Sequence, residues 1–206
     1  MDNINNKQEE KKSSASTLED SKLRNSVLAY MHDVLFALAG LLLVFVLLFR
    51  MVVVSGPSMR TTLLDGDYLL VLSSALYKNP QYGDVVVISK DSFKDGDPIV
   101  KRVIATAGQT VDIDFDLGMV YVDGVALEEP YTLTPTNIQE GTAFPLTVEE
   151  GCVFVMGDNR NESKDSRHPE IGMVDEREVL GKVLFVLFPA VDPYTHKRDL
   201  GRFGAV

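Results

Sequence analysis

Cysteine and histidine are scarce in this chain, and their scarcity limits the chemistry that it can perform. The 206 residues include one cysteine, Cys152, and three histidines, at positions 32, 168 and 196. A single cysteine excludes an intrachain disulfide. A tetrahedral zinc site needs several Cys, His or carboxylate ligands held close together, and this scatter does not indicate one. We therefore expect no metal and no other cofactor.

Basic charge is also in short supply. The chain has 20 Lys and Arg against 30 Asp and Glu, which gives a formal net charge of -10 at pH 7. Proteins that bind nucleic acid neutralise phosphates with clustered Lys and Arg, and no such cluster is visible in the sequence. The composition therefore argues against a nucleic-acid partner, and we interpret the acidity as a contribution to solubility.

What the chain does contain is one long hydrophobic run near its N-terminus. Residues 1–25 are polar and mixed in charge, which is typical of a disordered tail, whereas residues 34–49 are uninterrupted apolar or small. With its flanks the run covers residues 26–54, long enough to cross a bilayer as one helix. A cleaved signal peptide would have a shorter apolar core and an Ala-x-Ala type of site after it, which residues 50–60 lack. We predict an uncleaved membrane anchor, whose flanking charges are balanced and leave its orientation open.

Residues 55–206 have the pattern of an all-β domain. Short runs rich in β-branched and aromatic residues, separated by turn residues, begin at Asp67, Asp84, Pro98, Thr110, Met119, Cys152 and Val179. Such a pattern predicts an all-β fold. The pair Asp123-Gly124 between two apolar runs is a strong signal for a two-residue hairpin. The polar residues 128–150, rich in Pro and Thr, indicate an excursion from the main sheet.

The predicted strand that begins at Pro98 places two cations side by side. Side chains alternate across a sheet, so Lys101 and Arg102 face opposite sides and one of them stands among apolar residues. A buried lysine without a partner tends to lose its proton, and a neutral lysine can act as a general base. At an ordinary pKa near 10.4, only on the order of one lysine in a few thousand is neutral at pH 7, and lowering that pKa by about 2 to 3 units corresponds to roughly 3 to 4 kcal/mol. The alternative is a structural lysine on an edge strand, with its ammonium group in solvent.

Two polar loops could hold partners for such a lysine. The first, SGPSMR at residues 55–60, follows the hydrophobic run directly and presents Ser58 in a turn-prone setting. The second, GDNRNESKDSR at residues 157–167, comes immediately after the apolar run CVFVM. A polar loop at the end of a buried strand can position supporting groups for a site, although an ordinary solvated turn has the same composition.

Ser58 in SGPSMR, Lys101 in KRVIA and the GDNRNESKDSR loop follow one another behind a membrane anchor, and with this arrangement the chain resembles the type I signal peptidases, the membrane-bound Ser/Lys endopeptidases of bacteria. The resemblance implies an antiparallel, all-β catalytic domain over residues 55–206 with a small inserted β region at 109–150. It also implies a single-pass protein of the cell membrane, with a cytoplasmic tail and an extracytoplasmic catalytic domain. Its substrates would be secreted preproteins with small residues at the first and third positions before the cut.

The same resemblance assigns a reaction to two residues. Ser58 would be the nucleophile, and Lys101 would be the general base that takes the proton of Ser58, a form of nucleophile activation that needs no histidine. The backbone N–H of Ser58 would donate a hydrogen bond to the oxyanion. Met59 is a candidate for contact with the substrate.

The resemblance also assigns supporting roles to the second polar loop. Ser163 would form a hydrogen bond with Lys101 and orient it. Asp158 or Asp165 would pair with Arg167 and hold the loop against the site.

Several positions depart from the pattern of this family. Some members have a side-chain hydroxyl that serves as a second oxyanion donor where this chain has Gly56, and Thr62 is a candidate substitute. Thr61 stands in place of a usual proline, and residues 105–109 stand in place of a usual Gly-x-Pro-Gly-Asp. These positions shape the backbone and do not react, so we expect altered loop rigidity and substrate preference without loss of the chemistry.

Three other functions stay open at this point. A self-cleaving Ser/Lys repressor needs a DNA-binding domain, and residues 1–25 are too few to form one. A sortase-like transpeptidase would use Cys152 with His168 or His196, and it would tolerate the loss of Ser58. A catalytically decayed, membrane-anchored β module would bind exported chains without cutting them.

Overall fold

The structure is a computed structural model that describes residues 2–93 and 96–206, with side chains from Arg24 onward. The chain divides into two compact units, residues 1–47 and residues 48–206. Helix α1 (Asp2–Leu48) lies in the first unit except for its last residue. Its segment Arg24–Leu48 has a mean hydropathy of 2.4 and is, among the described helices, the one that is long and apolar enough to cross a membrane.

Helix α1 differs from the sequence-based expectation at both of its ends. A disordered tail is expected over residues 1–25, but the helix begins at Asp2. Lys and Glu, which account for seven of the first 25 residues, favour a helix, and the helix can extend from the apolar segment without a new nucleus. An anchor that runs to residue 54 is also expected, but α1 ends at Leu48 and Phe49–Val53 forms strand β1. Its aromatic and β-branched residues suit a strand, and β2 supplies the hydrogen-bonding partners.

In the described residues the second unit contains twelve strands, all paired antiparallel, in two sheets. They are β1 (Phe49–Val53), β2 (Tyr68–Ser73), β3 (Val85–Ile88), β4 (Ile99–Thr106), β5 (Thr110–Asp114), β6 (Met119–Val122), β7 (Val125–Ala126), β8 (Leu146–Thr147), β9 (Cys152–Met156), β10 (Val174–Asp175), β11 (Val179–Phe188) and β12 (Gly204–Ala205). The larger sheet has the order β1-β2-β11-β3-β4-β9-β10, with β12 paired to β11. Strand β4, which carries Lys101 and Arg102, therefore lies inside the sheet between β3 and β9.

The smaller sheet has the order β7-β6-β5-β8 and lies within residues 109–150, where the sequence predicts an inserted β region. The predicted hairpin is confirmed at Asp123-Gly124, which joins β6 to β7. Both residues have positive φ angles, 52° and 78°, as a two-residue turn of type I′ requires.

One of the apolar clusters of the larger sheet reaches directly under the first polar loop. It combines Val54, Met59 and Leu63 with residues of β2, β3, β4 and β11. Full burial of a Met or Leu side chain contributes about 1.5–3 kcal/mol. Met59 and Leu63 therefore fasten the segment that carries Ser58 to the core.

Candidate active site

Ser58 lies in the connection between β1 and β2, at the start of a tight turn. Gly56 precedes it with a φ of 94°, a conformation that favours glycine. The turn that follows is closed by a hydrogen bond from the Leu63 N–H to the Met59 carbonyl oxygen, at 2.8 Å. Ser58 is half-buried in this turn. Met59 and Leu63, which are in the core, hold the turn in place.

Lys101 meets Ser58 from strand β4. Its Nζ atom donates a hydrogen bond to the Oγ atom of Ser58 at 2.7 Å, and only 3% of the residue is exposed. It shares a face of the sheet with Ile99 and Val103, and Val86 of β3 lies opposite. An edge-strand lysine with its ammonium group in solvent is therefore wrong for this position. Arg102, on the other face, is buried as well, at 9% exposure.

The second polar loop touches the backbone of the first. The N–H of Asn159 donates to the Ser58 carbonyl oxygen at 3.0 Å, and its side-chain amide donates to the Pro57 carbonyl oxygen at 3.2 Å. Gly157 packs so tightly that an added Cβ would lie 2.5 Å from the Ser58 carbonyl oxygen. The loop after β9 is therefore part of the wall around Ser58, and its interpretation as a solvated turn is wrong.

Asp165 and Arg167 form a fully buried ion pair inside this loop. The Nε and Nη2 atoms of Arg167 donate to the two carboxylate oxygens of Asp165, each at 2.8 Å, and the Gly157 N–H donates to Asp165 at 3.0 Å. Burial by itself raises the pKa of Asp165, but the hydrogen bonds and charge of Arg167 and the Gly157 amide outweigh it and lower that pKa. Of the two carboxylates expected to pair with Arg167, Asp165 is the partner.

Asp158 pairs with Arg102 instead. The Arg102 Nε and Nη2 atoms donate to its two oxygens at 2.8 and 2.7 Å, and the Tyr131 ring stacks with its centroid 4.0 Å from the guanidinium carbon. Thr62 donates to the same carboxylate. Sequence reasoning gave Arg102 no role, although the Lys101-Arg102 dipeptide on an interior strand already requires a partner for each cation.

A family model described as signal peptidase, peptidase S26, matches residues 27–188 of this chain. The chain belongs to the S26 signal peptidase family. Signal peptidase I of Bacillus licheniformis is 35% identical over 174 residues, which cover 81% of this chain and 91% of that protein. Signal peptidase I T of Bacillus subtilis (strain 168) is 33% identical over 188 residues, covering 87% and 95%. A solved structure of a signal peptidase I from Enterococcus faecalis V583 is 32% identical and covers 51% of this chain and 97% of that one, with a TM-score of 0.42.

Membership of this family makes the protein a serine peptidase that removes signal peptides from preproteins. The family is membrane-associated, which agrees with the apolar segment Arg24–Leu48. A sortase-like transpeptidase, a self-cleaving repressor and a decayed binding module are therefore set aside.

Cys152 has no features of a nucleophile in this signal peptidase. It opens strand β9 and is half-buried. Burial raises the pKa of its thiol, and the neighbouring carboxylates of Asp175 and Glu149 raise it further, so the reactive thiolate is disfavoured.

Ser163 does not make the hydrogen bond that the family resemblance predicts. It is 2% exposed, and its Oγ atom has no hydrogen-bond partner among the residues that the structure describes. The side chain instead packs over Gly157, where its Oγ atom lies 2.2 Å from the position of an added Cβ. The prediction of a Ser163–Lys101 hydrogen bond is therefore wrong for this structure, because the Ser163 side chain fills the space above Gly157.

Met59 is also placed differently from the expectation. It is 1% exposed and belongs to the core cluster under the Ser58 turn. The Met59 side chain points into the core and not toward the surface, so it is not available for contact with a substrate. It fixes the backbone of the Ser58 turn instead.

Three groups near Ser58 are candidate hydrogen-bond donors to an oxyanion: the Ser58 N–H, the Gly56 N–H and the Thr62 hydroxyl. The N–H of Ser58 donates to no protein acceptor within residues 24–93 and 96–206. The Gly56 N–H is occupied by Asp65 at 2.9 Å, and the Thr62 hydroxyl donates to Asp158. Neither of these groups is free to act as a second donor in this arrangement.

The unusual turn at residues 105–109 is closed by a side chain. The Gln109 side-chain oxygen accepts hydrogen bonds from the N–H and the hydroxyl of Thr106, at 2.9 and 3.1 Å. Gly108 supplies the positive φ of 82° that the turn needs. The departure from the family pattern therefore keeps a closed turn at the end of β4.

Proposed function

We propose that this signal peptidase cleaves with Ser58 as the nucleophile and Lys101 as the general base. The observation that carries the proposal is the 2.7 Å hydrogen bond between the Lys101 Nζ atom and the Ser58 Oγ atom. This separation is within the reach of direct proton transfer. The reaction requires the neutral amine, and burial of the Lys101 side chain penalises the ammonium form.

The proposed reaction has two stages. Lys101 takes the hydroxyl proton of Ser58 as its Oγ atom attacks the carbonyl carbon of the scissile peptide bond, and the Ser58 N–H donates to the oxyanion. Lys101 then gives its proton to the leaving amine, and the C–N bond breaks to leave an acyl-enzyme. Water attacks the ester, again with Lys101 as base, and releases the processed signal peptide and free Ser58.

The loop at residues 157–167 supports this geometry in the proposal. Asn159 donates hydrogen bonds to the carbonyl oxygens of Pro57 and Ser58 and so fixes the backbone on both sides of the Ser58 side chain. The Asp165–Arg167 pair fixes the loop that carries Asn159. A buried bidentate pair holds its loop more rigidly than an exposed one. Asp158 and Arg102 do the same for the turn at Thr62.

We further propose that Arg24–Leu48 spans the cell membrane, with the N-terminus in the cytoplasm and residues 55–206 outside. Ser58 then follows the end of the span, Leu48, by ten positions. A signal peptide also has its cleavage site shortly after an apolar segment, and a tether to the same membrane raises the effective concentration of the enzyme near its substrate. Substrates would have small residues at the first and third positions before the cut.

The test is cleavage of a preprotein with an Ala-x-Ala site by the full-length enzyme in detergent, beside its Ser58→Ala variant. Cys152→Ala is a matched control, because it removes the thiol that a sortase-like transpeptidase would use as its nucleophile. The proposal predicts cleavage by the parent and by Cys152→Ala, and none above background by Ser58→Ala. Cleavage by Ser58→Ala at the parental rate would overturn it.

A further inference from the structure

Residues 189–206 form a C-terminal strap that lies beyond the family-matched residues 27–188. The strap leaves β11, makes a bridge between Val191 and Arg198, and passes through a 3-10 turn at Leu200–Arg202. It ends as β12, which pairs with Phe185 and Val186 of β11. Both ends of the strap are therefore fastened to the sheet, and its middle crosses the connection that carries Ser58.

The strap meets that connection at a fully buried carboxylate, Asp67. The N–H of Ala190, in the strap, donates to Asp67 at 2.7 Å, and the N–H of Leu64 donates to it at 2.7 Å from within the connection. Arg202 adds two hydrogen bonds, from Nη1 at 3.1 Å and from Nη2 at 2.5 Å. A buried carboxylate needs such donors, and the strap supplies three of these four.

Arg202 also holds the turn that follows Ser58. Its Nη2 atom donates to the Thr62 carbonyl oxygen at 3.1 Å. The hydroxyl of the same Thr62 is held by Asp158 from the opposite loop. One planar guanidinium thus links the buried carboxylate at the end of the connection to a backbone group four positions after the nucleophile.

A second contact joins the strap to the same turn. The guanidinium carbon of Arg60 lies 3.7 Å from the ring centroid of Tyr194, a cation–π arrangement. Arg60 is two residues from Ser58, and its N–H donates to the Pro57 carbonyl oxygen. The strap therefore contacts the turn at two residues, Arg60 and Thr62.

We propose that Arg202 is a positioning residue for Ser58, and that the strap sets the position of the nucleophile turn. The inference rests on the proposed role of Ser58. An arginine is required because its fork can reach the Asp67 carboxylate and the Thr62 carbonyl together, whereas the point charge of a lysine can satisfy only the carboxylate. Loss of the fork releases the Thr62 carbonyl and lets the Ser58 Oγ atom move away from Lys101.

The test compares Arg202→Lys and Arg202→Ala with the parent, in the full-length enzyme and with the same preprotein. We expect kcat to fall about 10- to 100-fold in Arg202→Ala, since a displacement of about 1 Å at a reacting group can have that effect, while KM changes little. We expect the kcat of Arg202→Lys to fall less than that of Arg202→Ala. Millimolar methylguanidinium raises the kcat of Arg202→Ala but not that of Arg202→Lys. Arg198→Met is the matched control, because Arg198 lies in the same strap and its side chain is exposed. We expect this variant to keep the parental kcat.

Each variant is assayed at a temperature where its circular dichroism equals that of the parent, so a loss of stability alone leaves kcat unchanged. If Arg202→Ala does not fold, Arg202→Lys decides the matter. A parental kcat in the folded Arg202 variants, together with an inactive Ser58→Ala, would overturn this inference alone. An active Ser58→Ala would overturn the proposed function instead.

Discussion

Replacement of Gly157 by alanine should disable the enzyme without removing any reacting group. The new Cβ would lie 2.2 Å from the Ser163 Oγ atom, 2.5 Å from its Cβ and 2.5 Å from the Ser58 carbonyl oxygen. Normal contacts need about 3.5–4.0 Å, so relief requires a shift of about 1 Å. Ser163 can rotate only within a buried loop, and the Ser58 carbonyl is backbone. The turn that holds Ser58 must therefore move.

The size of the effect follows from the 2.7 Å separation of the Lys101 Nζ and Ser58 Oγ atoms. A shift of about 1 Å takes this pair beyond hydrogen-bond range. We expect kcat to fall about 100-fold, equivalent to about 2.7 kcal/mol of transition-state stabilisation. Overpacking should also lower the free energy of unfolding by about 1–3 kcal/mol.

The assay is preprotein cleavage with kcat and KM determined separately, on protein shown to be folded. Gly40→Ala is the control, because an added Cβ there meets no atom within 4 Å. The double variant Gly157→Ala/Ser163→Gly removes the two contacts with Ser163 and keeps the one with Ser58, so it should stay impaired. A parental kcat for Gly157→Ala would refute the reasoning.

Three further predictions concern stability. Asp165→Asn should cost about 3–5 kcal/mol, because it leaves the buried Arg167 unpaired. Since the folded-state pKa of Asp165 is lowered, its contribution is complete above its unfolded pKa and is lost as the pH falls through the folded value, so chemical denaturation should show the difference between parent and variant shrinking below about pH 4. Glu140→Gln should stabilise the fold at neutral pH but not in acid. Burial, and then the charge of Asp165, raises the pKa of Glu140, so its ionised form destabilises the fold above the raised pKa; equal thermal midpoints for parent and variant at neutral pH would contradict this. Gln109→Ala should cost about 0.5–1.5 kcal/mol through the lost bonds to Thr106, measured by the same denaturation.

The periodic parts of the fold could be predicted from the sequence. The strands that are predicted from Asp67, Asp84, Pro98, Thr110, Met119, Cys152 and Val179 are confirmed as β2, β3, β4, β5, β6, β9 and β11. Three of the four two-residue strands, β8, β10 and β12, are too short to show alternation and lie outside the predicted hairpin, so they are defined by their pairing with other strands. Strand β1 cannot be told from the end of the anchor in the sequence, because a membrane helix and a short strand can have the same apolar residues.

The candidate site could be predicted only at the level of residue types. The sequence indicates Ser58 and Lys101 as candidate site residues, and in the structure their side chains are in contact. Which carboxylate pairs with Arg167 depends on the loop conformation, which the sequence pattern does not determine. The inward direction of Met59 and the packing of Ser163 over Gly157 depend on turn geometry, which has no sequence period.

The contacts of Arg202 were beyond sequence reasoning for a different reason. Its partners, Thr62 and Asp67, are separated from it by 140 and 135 positions. The pairing of β12 with β11 places the backbone just after Arg202. A long-range contact of this kind leaves no local pattern.

The most direct test of the Ser58/Lys101 mechanism is preprotein cleavage by Lys101→Arg across about pH 6 to 10, the range in which a general base near neutrality would titrate. Arginine keeps a positive charge and hydrogen-bond donors near Ser58, but it stays protonated and cannot accept the hydroxyl proton. Lys101→Met is the matched control, because it keeps the apolar stem and loses the amine. The mechanism predicts that both variants lose at least about 100-fold in kcat at every pH. Appreciable turnover by Lys101→Arg would contradict it, since the lysine would then act through its charge and not as a base.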